Sequence, residues 1–170
     1  MWPAPNSSGG FLDEMFDLWS KYKPHPTMAL LAGEGRDVSD HIRRELGWSV
    51  KSVNFNPSLN PDICTDMCAP GWITPGEYDL IINQANLEHV YDPFGMCKEL
   101  TRGMALGGIH VLHTHTQGVC YHPWPRDYFR FERDWFEDLP RHLHGAVALR
   151  HVETTGANNV FAVYEKTASE

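Results

Sequence analysis

The sequence predicts an α/β fold. It is a doubly wound, mostly parallel sheet of seven strands, or slightly fewer, with helices on both faces and a C-terminal antiparallel β-hairpin. Short apolar or β-branched runs alternate with helical periodicity between residues 28 and 139. Such alternation calls for right-handed βαβ crossovers, and so for parallel strands covered on both faces. The last two β-type runs, 147–155 and 160–165, are joined by Gly156-Ala157-Asn158-Asn159, which is turn chemistry. This hairpin is expected to add an antiparallel edge to the sheet.

Residues 1–10 are rich in Pro, Ser and Gly and are expected to be loose, with one domain over 11–170. Phe11, Met15, Leu18 and Tyr22 repeat at helical spacing until Pro24 and Pro26. Met28–Ala32 is a short apolar run stopped by glycine and reads as the first, buried strand. Val38, Ile42 and Leu46 mark a helix, with Gly47 as its C-terminal cap. Residues 48–55 form the second strand, 62–66 a short third, and 78–83 the clearest of all. Asp92-Pro93 starts a helix, an N-cap residue followed by proline at the first helical position. Gly107-Gly108 is expected to stop it before a fifth strand at 109–113. Residues 114–131 are irregular and rich in His, Trp, Tyr and Pro, and 132–139 reads as helix.

The chain has 170 residues, a formal net charge of −8 and a hydrophobic fraction of 42%. One domain of this length can bury a sizeable core. The acidic balance argues against nucleic acid, whose phosphates require a basic face. No run approaches the ~18–20 apolar residues of a membrane span. The first residues lack a signal-peptide pattern, so a cytoplasmic location is expected, as a monomer or homodimer. Cys64, Cys68, Cys97 and Cys120 then read as thiols.

In an open α/β sheet, ligands sit beyond the carboxyl ends of the strands. The first strand ends in Gly33-Glu34-Gly35, where glycine allows close backbone approach and a helix follows. A dinucleotide fingerprint would need glycine where Val38 stands and an acid where Asn54 stands. Neither is present.

Met28-Ala29-Leu30-Leu31-Ala32-Gly33-Glu34-Gly35 resembles the first motif of class I S-adenosylmethionine-dependent methyltransferases. Residues 78–90, ending Leu87-Glu88-His89-Val90 before Asp92-Pro93, are similar to the fourth-strand motif of that family. His122-Pro123 followed by Asp127-Tyr128-Phe129-Arg130-Phe131 resembles a segment of the type 11 subgroup. The resemblance spans roughly residues 28–140. It departs from the family at Leu31, where an acid is usual, at Asp37, where a third glycine is usual, and at Asn54, where an acid holds the ribose.

The resemblance implies a Rossmann-like methyltransferase that binds S-adenosylmethionine and methylates a small-molecule acceptor by in-line displacement at the sulfonium methyl. Gly33, Glu34 and Gly35 would form the cofactor loop, with Asn54 and Phe55 at the ribose. Asp66 and Met67 would meet the adenine, and Asn83 and Gln84 the methionine end. Asn54 also reads as a turn cap, and Asp66 as a strand cap. His115 and His122 are the candidate catalytic bases, since imidazole titrates near neutrality; loop packing, or a zinc or iron site together with His113, are the other readings. His89, Tyr121, Trp124, Tyr128 and Arg130 would bind the acceptor, although Arg130 could instead pair with Asp127.

Some family members bind metal through Glu-x-x-Glu-His. Ala85 occupies the first position here, and no metal site is expected. The altered motifs leave two other readings: a degenerate domain that binds the cofactor without transfer, and a scaffold that uses the fold for interactions.

Overall fold

The computed structural model describes residues 21–123, 125–155 and 158–168. The helix expected from Phe11, the segment 1–10, Trp124 and the turn residues Gly156 and Ala157 lie outside them. The chain order is β1 (Ala29–Ala32), α1 (Arg36–Leu46), β2 (Val50–Asn54), β3 (Ile63–Cys64), β4 (Tyr78–Gln84), α2 (Pro93–Gly103), β5 (Met104–His115), α3 (Arg133–His142), β6 (Val147–Thr155) and β7 (Asn159–Lys166). The strands form one seven-stranded sheet in the order β3-β2-β1-β4-β5-β7-β6. β1 pairs in parallel with both β2 and β4, so the chain reverses its direction of growth there.

Strand alternation sorts the apolar side chains onto two faces. Leu30, Ile81, Leu112 and Ala162 join one core, closed by Met96 and Leu100 of α2 and by Phe136 of α3. Leu31, Leu80, Val111 and Val163 join the other, closed by Ile42 of α1. Each fully buried Leu, Ile or Phe contributes roughly 1.5–3 kcal/mol of transfer free energy. The β1 run is continuous in hydrophobicity because both its faces are covered.

The caps fall where the sequence places them. Asp92 accepts a hydrogen bond from the Gly95 N–H at 2.9 Å, with Pro93 opening α2, and Gly47 closes α1. The expected hairpin forms at the edge of the sheet: β7 pairs antiparallel with β5 and with β6, which is the outermost strand. Two expectations need correction. α2 ends at Gly103 rather than at Gly107-Gly108. β5 begins already at Met104, and the glycine pair lies inside it, where the register with β4 shifts between Tyr78 and Leu80. A Cβ on Gly108 would stand 2.7 Å from the Ala105 carbonyl oxygen, so the pair serves a tight irregularity in the strand.

At the far end of β7, Lys166 is buried. Its ammonium donates to the carbonyls of Thr101 at 2.9 Å and Met104 at 3.0 Å. A cation there satisfies the exposed carbonyls at the C-terminus of α2 and suits the helix dipole. No described helix is long and apolar enough to cross a membrane.

Candidate functional site

A cleft of about 700 Å³ opens at the carboxyl ends of β1, β2 and β4. It lies at the switch point, where an open α/β sheet takes its ligand, and its size suits a drug-sized molecule. Gly33, Asn54, Phe55, Asp66, His89 and Tyr128 are among the residues that line it. Phe55, Leu59, Tyr91 and Tyr128 all line it and are all exposed, so the cleft presents apolar surface.

Gly33 is at φ +91, and a Cβ there would come within 2.9 Å of Asn86 Cβ. Only glycine lets β1 turn toward the cleft and pass Asn86. Asn54 is 6% exposed. Its amide nitrogen donates to the Gly33 carbonyl at 2.5 Å, and its oxygen accepts from the Asn56 N–H at 2.9 Å. Asn54 thus ties the two strand ends that form this wall. Asp66 accepts from the Cys68 N–H at 2.9 Å and from the Tyr91 hydroxyl at 3.0 Å, which fixes its carboxylate at the rim. Ala85, after β4, lines the cleft at φ +42, a left-handed backbone that costs a non-glycine residue energy and clusters at functional sites. The Cys68 thiol is also on the wall. Burial pushes it up to about 11, so it stays protonated and is a poor nucleophile.

Other expected residues fall elsewhere. Glu34 and Gly35 follow Gly33 but do not line the cleft. Burial first, and then the charge of Asp37, push the Glu34 carboxyl up to about 7. Met67 is buried in the core and does not line the cleft. Asn83 is fully buried, accepts from the Asn86 amide at 3.3 Å, and leaves its own Nδ2 without a hydrogen-bond partner. Gln84 is half-buried at the end of β4, outside the wall. Trp124 lies outside the described residues.

On the expected acceptor side, Tyr121 is 72% exposed and away from the cleft. Arg130 forms a two-point pair with Asp127, bonding Oδ2 at 2.7 Å, and also donates to the carbonyls of Val119 and Cys120. Its fork holds the 119–130 loop together, the pairing with Asp127 that the sequence offered as the other reading. That pairing, ahead of all else, holds the Asp127 carboxyl well below its usual range. His115 and His122 do not line the cleft either. They gather with His89 around the buried carboxylate of Glu88. His89 is the described histidine that reaches the wall.

Sequence reasoning missed Asn56, Leu59, Asn86, Tyr91 and Arg126 on this wall. Leu59 and Tyr91 could have been found as large apolar residues in segments with no helical or strand periodicity. Nothing in the sequence signals Arg126.

No protein-family model and no curated protein sequence matches the chain. Its backbone is similar to a S-adenosylmethionine-dependent methyltransferase from Archaeoglobus fulgidus, at TM-score 0.70 and 10% identity over 92% of this chain and 94% of that one. It is also similar to the 1,6-didemethyltoxoflavin-N1-methyltransferase of Burkholderia thailandensis, solved with bound 1,6-didemethyltoxoflavin and S-adenosylhomocysteine, at TM-score 0.64 and 12% identity over 98% and 94%. A 4+2 cyclase shares the backbone at TM-score 0.68 and 11% identity over 99% and 85%. The chain has the fold of class I S-adenosylmethionine-dependent methyltransferases.

Proposed function

We propose that the chain binds S-adenosylmethionine in this cleft and transfers its methyl group to a small-molecule acceptor. The observation that supports the reading best is Gly33: a left-handed glycine at the end of β1, on the cleft wall, where a Cβ would collide with Asn86. When bound, the cofactor supplies a methyl already activated on a sulfonium.

The residues present fit such a ligand. Gly33 offers its backbone, Asp66 a fixed carboxylate at the rim, and Phe55 and Leu59 an apolar face for a purine ring. Tyr128, His89 and Arg126 also line the cleft and would orient the acceptor. Little else is required, because alignment and exclusion of water carry much of such a reaction. His115 and His122 enter this reading as neighbours that back His89 through Glu88, not as groups in the wall.

A second reading has its own support. Asn54 carries no charge, and both its polar atoms are already engaged. A domain that binds the cofactor and transfers nothing, or that hosts other chemistry on the same fold, is consistent with that. Release of S-adenosylhomocysteine from S-adenosylmethionine, assayed against a panel of hydroxyl, amine and thiol acceptors, separates the two. Turnover supports transfer; binding without turnover on any acceptor supports the second reading.

A further inference from the structure

Glu88 is 0% exposed, in the 3₁₀ turn Leu87–His89 that follows β4. Its Oε2 accepts from the Thr114 hydroxyl at 2.6 Å, while its Oε1 accepts no hydrogen bond. Three imidazoles converge on that bare oxygen. The Nε2 atoms of His115, His89 and His122 stand 3.3, 3.7 and 3.8 Å from it. Ligand atoms of Glu88, His89 and His122 lie within 4.8 Å of one another.

The other ring nitrogens decide what these Nε2 atoms are. His89 Nδ1 contacts the Arg126 carbonyl, His122 Nδ1 the Cys120 carbonyl at 2.8 Å, and His115 Nδ1 the Asn159 Oδ1 at 2.6 Å. Each of those oxygens can only accept, so each Nδ1 carries hydrogen. Arg130 Nη2 also approaches His122 Nδ1, but at the longer distance of 3.3 Å. In the neutral ring the Nε2 is then a lone pair. Lone pairs of three imidazoles aimed at a carboxylate oxygen repel unless something positive stands among them. An outer acceptor that fixes each tautomer is the usual support of a metal-bound histidine. A tetrahedral ion with bonds of about 2.0–2.1 Å holds its ligand atoms about 3.3–3.4 Å apart, and the Nε2 atoms of His89 and His122 stand 3.7 and 3.8 Å from Glu88 Oε1.

We propose that Glu88, His89 and His122 form a binding site for one divalent first-row transition ion of the zinc class, with His115 beside it on the same carboxylate oxygen. Nitrogen-rich sets with one carboxylate select such ions over magnesium or calcium. His89 belongs both to this cluster and to the cleft wall, so the ion sits beside the bound ligand. A role for the ion in methyl transfer rests on the proposed function; binding of the ion does not.

The test is calorimetric titration of chelator-stripped full-length protein with Zn²⁺, and with Co²⁺ for its ligand-field spectrum. One ion per chain and a rise in melting temperature at one equivalent are expected. His122→Ala, in an exposed loop, and Glu88→Gln, which keeps an acceptor for Thr114, should each weaken binding by at least about tenfold. Circular dichroism confirms their fold. No binding of either ion to the wild type, or equal binding by both folded variants, overturns the site. S-adenosylhomocysteine titrated into the same stripped protein reads the cofactor site separately, so either reading can fail alone.

Discussion

The side-chain amide of Asn54 donates to the Gly33 carbonyl at 2.5 Å, so the end of β2 holds the glycine turn at the end of β1. The residue that interrupts the family's acidic pattern is therefore the one that shapes the loop. A carboxylate could not make this bond, because it has no hydrogen to donate.

From this, Asn54→Asp should not restore a tighter cofactor site. The loop loses a donor and gains charge repulsion against the Gly33 carbonyl. Affinity for S-adenosylhomocysteine is expected to fall about tenfold, equivalent to one buried hydrogen bond. Calorimetry of the two proteins checks this, and tighter binding by the variant would show that Asn54 faces the ribose instead.

Asp62 joins β2 to α1 by accepting from the Ser52 N–H, the Ser39 hydroxyl and Arg43. Burial opposes its ionisation, yet the Ser52 N–H, Arg43 and Ser39 together hold its pKa below the ordinary 3.8. An acid depressed on folding stabilises the fold above its unfolded pKa. That contribution is lost as pH falls through the folded value. Asp62→Asn should therefore melt lower than wild type at pH 5–7, taking about pH 5 as the point where the unfolded acid is mostly ionised. The gap should close as pH drops below 3.8. Thermal melts across that range measure it.

His110 is buried on β5, and burial lowers its pKa from 6.5 to about 4. The unfolded chain takes up this proton below pH 6.5 and the folded chain does not until about pH 4, so acidification across that window destabilises the fold. His110→Leu should remove one proton from the pH dependence, about 1.4 kcal/mol per pH unit. Denaturant titrations at pH 7 and pH 5 test this: the variant should lose less stability between them than wild type does.

Lys166→Met keeps the apolar stem but removes the ammonium from the carbonyls of Thr101 and Met104. The loss should be about 2–3 kcal/mol, because buried acceptors go unsatisfied. Urea unfolding measures it, and a neutral substitution would mean that water reaches these carbonyls.

The fold was legible because its signals are local. Asp92-Pro93 and the apolar run of β1 mean the same thing in almost any context. Gly107-Gly108 does not: glycines that stop a helix also serve a strand irregularity, and only the pairing of Tyr78 with Met104 decides between them. The glycine loop was readable because its conformation is dictated by a residue type. The Glu88 cluster was not. Its histidines come from a turn, a strand end and a loop, and no sequence spacing announces that three imidazoles meet one carboxylate oxygen. For Arg130 the sequence left two partners open, and the structure pairs it with Asp127 within the loop.

The most direct measurement is calorimetric titration of S-adenosylmethionine into the wild type and Gly33→Val. One-to-one binding by the wild type is expected, with a loss of at least about tenfold in affinity in the variant, whose added side chain closes the approach beside Asn86. Variant melting temperature and circular dichroism show that the sheet is intact. Absence of binding by the wild type, or equal affinity in a folded Gly33→Val, would contradict the account.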